Sequence, residues 1–160
     1  AKTNPNWAFE YVSKHGKDED LEPIIAKSAK YSYEYAKHIL KGEFPLGEPA
    51  IAKDDSCSYY YALYVLKGPF KLGEPAIATG PWESLFYAKE ILKGPFHLGE
   101  KAIAKDIVYS YLYALDVLKG PFKLGEPAIV KEEYYSKRYT QNVLKKDFYL
   151  DGKLICKYEG

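Results

Sequence analysis

Four kinds of chemically capable side chain recur along this 160-residue chain at a spacing of 26 residues. Lysines stand at Lys41, Lys67, Lys93, Lys119 and Lys145, and glutamates at Glu22, Glu48, Glu74, Glu100 and Glu126. Tyr35, Tyr61, Tyr87, Tyr113 and Tyr139 form a third column, and Ser32, Ser58, Ser84, Ser110 and Ser136 a fourth. Carboxylates suggest acid/base hydrolysis, serines a nucleophile, and tyrosines with lysines a platform for single-stranded nucleic acid. A paired-carboxylate hydrolase needs two acids converging on one bond, whereas one glutamate per unit strings them out. No histidine accompanies the serines, because His15, His38 and His97 fall at different places in their units, so neither a serine nucleophile nor a histidine metal cluster is supported. Every glycine has a turn-making explanation and none belongs to a phosphate loop. Asp54-Asp55 and Glu132-Glu133 begin longer helices, where the dipole favours acids. The expectation is no catalytic residue, no metal and no cofactor.

A fixed short period means stacked supersecondary units rather than a single-core enzyme fold. Each unit reads as two helices. The longer one follows a capping position held by Ser28, Asp54, Gly80 and Asp106, with Pro81 just inside one start, and ends at the lysine column. Gly42, Gly68, Gly94 and Gly120 come next as the expected left-handed stop, and Pro69, Pro95 and Pro121 forbid continuation. A Phe-x-Leu-Gly-Glu turn leads to a short helix with Pro49, Pro75 or Pro127 at its start and Ile51, Ile77, Ile103 or Ile129 as its anchor. Lysine in a last turn and glutamate before a first turn suit the helix partial charges, so both columns read as construction. Ser32, Tyr35, Ala36, Ile39 and Leu40 share one α-helical face, and the later copies repeat this inward stripe. The tyrosine ring is then core, with its hydroxyl on a loop carbonyl or the constant glutamate.

The fold expected is all-α: an α-solenoid of 26-residue two-helix repeats, one helix long and one short, capped at both ends. It spans 1–160 as a single helical-repeat domain, with 1–27 as an N-terminal capping repeat, full repeats at 28–53, 54–79, 80–105 and 106–131, and 132–160 as a C-terminal repeat and cap. The C-terminal segment keeps Phe148, Leu150 and Ile155 in register and reads as a closing half-repeat, the alternative being a hairpin turning at Asp151-Gly152.

Composition agrees with an ordinary globular chain, 47% hydrophobic and 28% charged. A net charge of +1 offers no global field toward nucleic acid or an anionic membrane. No apolar run is long enough to span a bilayer and no signal-peptide pattern opens the chain, so the expected location is cytoplasmic, without a membrane partner. Cys57 and Cys156 lie too many helical layers apart to pair and read as free thiols.

If constant positions build the array, function is written where the copies differ. Positions equivalent to 30, 34 and 37 are charged in the first full copy and, Ser56 and Lys89 apart, apolar or aromatic in the middle ones. Tyr60, Leu63, Trp82, Phe86, Leu112 and Leu115 therefore form the candidate partner-binding patch, unless they pack between neighbouring helices instead.

The words Tyr-Ala-x-x-Val-Leu-Lys-Gly-Pro-Phe-x-Leu-Gly-Glu-x-Ala-Ile-Ala, as in Tyr61 to Ala78 and Tyr113 to Val130, resemble short tandem helical repeats of uncharacterised bacteriophage and bacterial proteins. That resemblance implies a helical repeat fold and a phage-encoded origin, hence the host-cell cytoplasm, and brings no active site. The function expected is a nonenzymatic scaffold binding a macromolecule, most simply a protein such as a host or defence factor. The alternatives are single-stranded nucleic-acid binding through the tyrosine and lysine columns, or a structural self-assembling repeat protein whose oligomeric state is open.

Overall fold

Helix starts fall where capping residues stand in the sequence, and the helices that follow alternate in length. The computed structural model describes residues 3–160, which are mostly helical. Asn4 caps α1 (Pro5–His15), which is followed by the single turn α2 (Glu22–Ile25). Longer helices then begin at α3 (Ala29–Glu34), α5 (Asp55–Tyr60), α7 (Pro81–Phe86), α9 (Ile107–Leu112) and α11 (Glu133–Tyr139). Single turns α4 (Glu48–Ile51), α6 (Glu74–Ile77), α8 (Glu100–Ile103) and α10 (Glu126–Ile129) alternate with them. Asp54 accepts the Cys57 N–H at 2.8 Å and Asp106 the Tyr109 N–H at 2.9 Å, satisfying donors that a first turn leaves free.

The longer helices do not stay α-helical. Each passes into π geometry, over Tyr35–Leu40, Tyr61–Leu66, Tyr87–Leu92, Tyr113–Leu118 and Thr140–Leu144. An i→i+5 bond adds a residue to the turn, so positions beyond the switch lag those of a continuous α-helix. The stripe expected from α periodicity is displaced accordingly. Ser32, Tyr35 and Ala36 are buried as expected, but Ile39 and Leu40 and their later counterparts are only half-buried. Tyr33, Tyr59, Leu85 and Tyr111 are buried in addition.

The helix stop also differs from expectation. The left-handed residue is the lysine: Lys41, Lys67, Lys93, Lys119 and Lys145 all have φ between 51° and 53°. Among the described residues only Gly16 and Gly152 are glycines with positive φ. In the first case the N–H groups of Lys41 and Gly42 both reach the Ala36 carbonyl, closing the π turn. A side-chain-bearing residue pays about 1–2 kcal/mol for this conformation, which glycine adopts freely.

Contacts concentrate in two compact units, one ending at Ile77 and the other running Ala78–Gly160. In the first, α3 packs on α4, α5 on α6, and α3 against both α1 and α5. In the second, α7 packs on α8, α9 on α10, and α9 against both α7 and α11. The same core joint recurs in both. Tyr61 meets Phe70 edge-on at 5.1 Å, and Tyr113 meets Phe122 at 5.0 Å. The serine hydroxyl turns inward, Ser58 donating to the Ile51 carbonyl at 2.9 Å and Ser110 to that of Ile103 at 3.0 Å.

The C-terminus corrects both the all-α expectation and the closing half-repeat. Strands β1 (Phe148–Leu150) and β2 (Lys153–Cys156) pair antiparallel, with Leu150 opposite Lys153 and a bulge between Phe148 and Tyr149. Asp151 and Gly152 both have positive φ, the conformation that a two-residue hairpin turn demands. The repeat register survives in one side chain: Phe148 is buried edge-on against Tyr139 at 5.2 Å. Among the described residues no helix is long and apolar enough to cross a membrane.

Candidate functional site

The constant polar columns are occupied by construction. Tyr113 Oη donates to Glu100 Oε1 at 2.9 Å and accepts the Phe96 N–H at 2.9 Å. Tyr61 makes the same pair with Glu48 and Phe44, and Tyr139 with Glu126 and Phe122. The loop thus offers an N–H to the hydroxyl, not the carbonyl expected, while the glutamate accepts as expected. Burial, reinforced by the glutamate, pushes these phenols well above their ordinary range despite the opposing backbone N–H. The rings of Tyr35, Tyr61, Tyr87, Tyr113 and Tyr139 are 0% exposed. No base can stack on them, which removes the platform from the tyrosine half of the nucleic-acid reading.

Chemistry at the remaining candidates is equally limited. Cys57 is pushed up to about 12, first by burial and then by its hydrogen bond to Asp54, so its thiol stays protonated. Among the described residues no group of His, Cys, Asp or Glu is arranged to hold a metal ion.

The six varying positions are all half-buried, neither core nor free surface. In the first unit Tyr60, on α5, stacks against Tyr33 at 6.2 Å and Tyr64 at 6.0 Å, with Leu63 on the π turn beyond. In the second, Trp82 and Phe86 meet at 4.8 Å on α7, which packs against α9, the helix that carries Leu112. Leu115 lies on the following π turn. Exposed bulk stands on the same or neighbouring elements: Tyr64 on the π turn that carries Leu63, Val108 on α9 and Tyr134 on α11.

Sequence reasoning missed one constant apolar column at the surface. Leu46, Leu72, Leu98 and Leu124, from the Phe-x-Leu-Gly turn, are 53%, 54%, 56% and 50% exposed. Their neighbours carried the signal: each lies outside any helical stripe, in a turn beside an exposed Pro, Lys or His. The glycine after each leucine explains the turn. A Cβ on Gly125 would sit 2.4 Å from the Phe122 ring and 2.7 Å from Ser110 Cβ, so backbone and ring touch directly.

A second surface feature lies at the π-turn ends. Lys93 and Lys119 line one groove in the second unit, with Ala88, Gly94 and Val117 in its walls. Lys119 and Lys145 line the next, with Ala114, Leu115 and Val143. Lys41 and Lys67 line the corresponding groove of the first unit, beside Gly42 and Tyr64. Comparison with protein-family models, curated proteins and solved structures finds no match to the chain.

Proposed function

We propose that the protein is a nonenzymatic scaffold, an α-solenoid of 26-residue two-helix repeats, that binds a protein partner through the varying face of its longer helices. One observation carries this reading. The constant serines, tyrosines and glutamates spend their hydrogen bonds within the fold, whereas the bulky aromatic and aliphatic residues that differ between copies sit at half-exposed positions. Half-exposed aromatic side chains at the centre of a patch supply much of the energy of protein–protein contacts. A cytoplasmic location, the host cytoplasm for a phage-encoded chain with a host or defence factor as target, completes the proposal.

The double variant Trp82→Ala/Phe86→Ala tests it. Affinity capture from a cell extract, followed by titration of the purified partner, is expected to show partner binding weakened at least about tenfold, with Tm lowered by a few degrees. A large fall in Tm with partner binding unchanged would make both residues core and overturn the reading.

A further inference from the structure

The Lys-Gly order at the end of four of the five π turns is the reverse of what stability selects. The left-handed position is filled by Lys41, Lys67, Lys93, Lys119 and Lys145, although glycine takes that conformation without strain. The next residue is glycine at 42, 68, 94 and 120, where φ is not positive and an added Cβ would meet nothing nearer than 3.8 Å. Strain retained five times with the same side chain, four of them beside a bare residue that the backbone does not need, indicates that the side chain and the open space are both used.

The lysines are also free to act. All five are exposed, and among the described residues none makes a side-chain hydrogen bond or ion pair, unlike Lys71, Lys89, Lys123 and Lys137. Each groove in the second unit is bounded by two of them. The one acid lining these two grooves, Asp116, is already neutralised by Lys89 at 2.7 Å. The grooves therefore hold uncompensated positive charge beside small and aliphatic side chains, which complements an anion carried on a side-chain stem.

We propose that Lys93, Lys119 and Lys145 form a carboxylate-reading ridge that takes an extended acidic polypeptide segment, one acidic side chain to each groove. Spacing favours this occupant. Packed helices lie about 8–10 Å apart, and a chain in the polyproline II conformation advances about 3.1 Å per residue with about three residues per turn, so every third residue of such a segment faces the same side and meets the next lysine. A single-stranded nucleic acid needs aromatic rings to stack its bases, and no ring lines either groove of the second unit. Exposed ion pairs are individually weak, so recognition depends on several lysines engaging one chain. One groove shares Leu115 with the candidate outer-face patch, but neither is lined by Trp82 or Phe86, and the ridge does not rest on the outer-face reading.

Fluorescence anisotropy at low salt, with a labelled peptide carrying glutamate at every third residue between serines and glycines, tests the proposal. Saturable binding is expected, weakened about tenfold or more by Lys93→Gly/Lys119→Gly/Lys145→Gly and preserved by the same three changes to Arg. The glycine variant relieves the left-handed strain, so its Tm is expected to hold or rise. If it melts lower, the triple Asn variant, which tolerates the conformation, repeats the measurement. Trp82→Ala/Phe86→Ala is expected to bind the peptide like the wild type, which keeps the two surfaces' results distinct. Absence of saturable binding, or a glycine variant (or its Asn substitute) that binds equally well, overturns the ridge. Tighter, lysine-dependent binding of an oligothymidylate of equal charge overturns the polypeptide assignment in favour of phosphate.

Discussion

Gly94 and Gly99 stand five residues apart in the same connection and do opposite work. A Cβ on Gly99 would lie 2.5 Å from Ser84 Oγ and 2.6 Å from the Phe96 ring, both buried groups without room to retreat. On Gly94 the nearest neighbour would be the Leu92 carbonyl at 3.9 Å, an ordinary contact. Gly99→Ala is therefore expected to cost about 1–3 kcal/mol by overpacking. Gly94→Ala is expected to be neutral, or to stabilise by up to about 1 kcal/mol through a less flexible unfolded chain. Paired thermal or urea melts of the two variants decide it, and equal effects would mean that the Phe96 joint is not packed as described. In the sequence both glycines read alike, as turn punctuation. What separates them is the close approach of helix, ring and turn, a tertiary distance that no residue type announces.

Elements were legible to the extent that their signals are local. Ser28, Asp54, Gly80 and Asp106 mark the helix starts, and the repeating Pro and Ile mark the single turns, because capping and φ restriction act within a few residues. The π turns were hidden, since Tyr35, Ala36, Ile39 and Leu40 satisfy α spacing as well. Their cost falls on Lys41 and its counterparts, which carry the twist that glycine was expected to bear. The C-terminal hairpin shows local and repeat signals in competition. Asp151-Gly152 fixes the turn, while Phe148 still fills the position of Phe122 in the core joint. Phe148→Ala is accordingly expected to cost about 3–5 kcal/mol, because the ring is 1% exposed and caps Tyr139. Tyr149→Ala on the next residue, 52% exposed, is expected to stay within about 0.5 kcal/mol. Comparable destabilisation in urea titrations of the two variants would show that the strand does not hold this register.

At the scale of the molecule, one kind of hydrogen bond ties four of the buried tyrosines to an earlier part of the chain. Tyr35 donates to Glu22, Tyr61 to Glu48, Tyr113 to Glu100 and Tyr139 to Glu126. The candidate patch was less legible than this frame, because half-burial of Trp82 or Tyr60 depends on how neighbouring helices lean and not on residue type. The tyrosines make a global prediction with a definite sign. Burial raises all four phenols above their ordinary value near 10, so the folded chain keeps protons that the unfolded chain releases. Stability from this source is complete below pH 10 and falls as pH rises past it, each phenol removing up to about 1.4 kcal/mol per pH unit. Four acting together exhaust a typical stability of about 5–15 kcal/mol within one to three pH units. Helical circular dichroism is expected to hold to about pH 10 and then collapse in one steep step, with a burst of phenolate absorbance in the same step. Phenolate appearing smoothly across all 17 tyrosines while helicity persists would show that the hydroxyls are not buried against the glutamates.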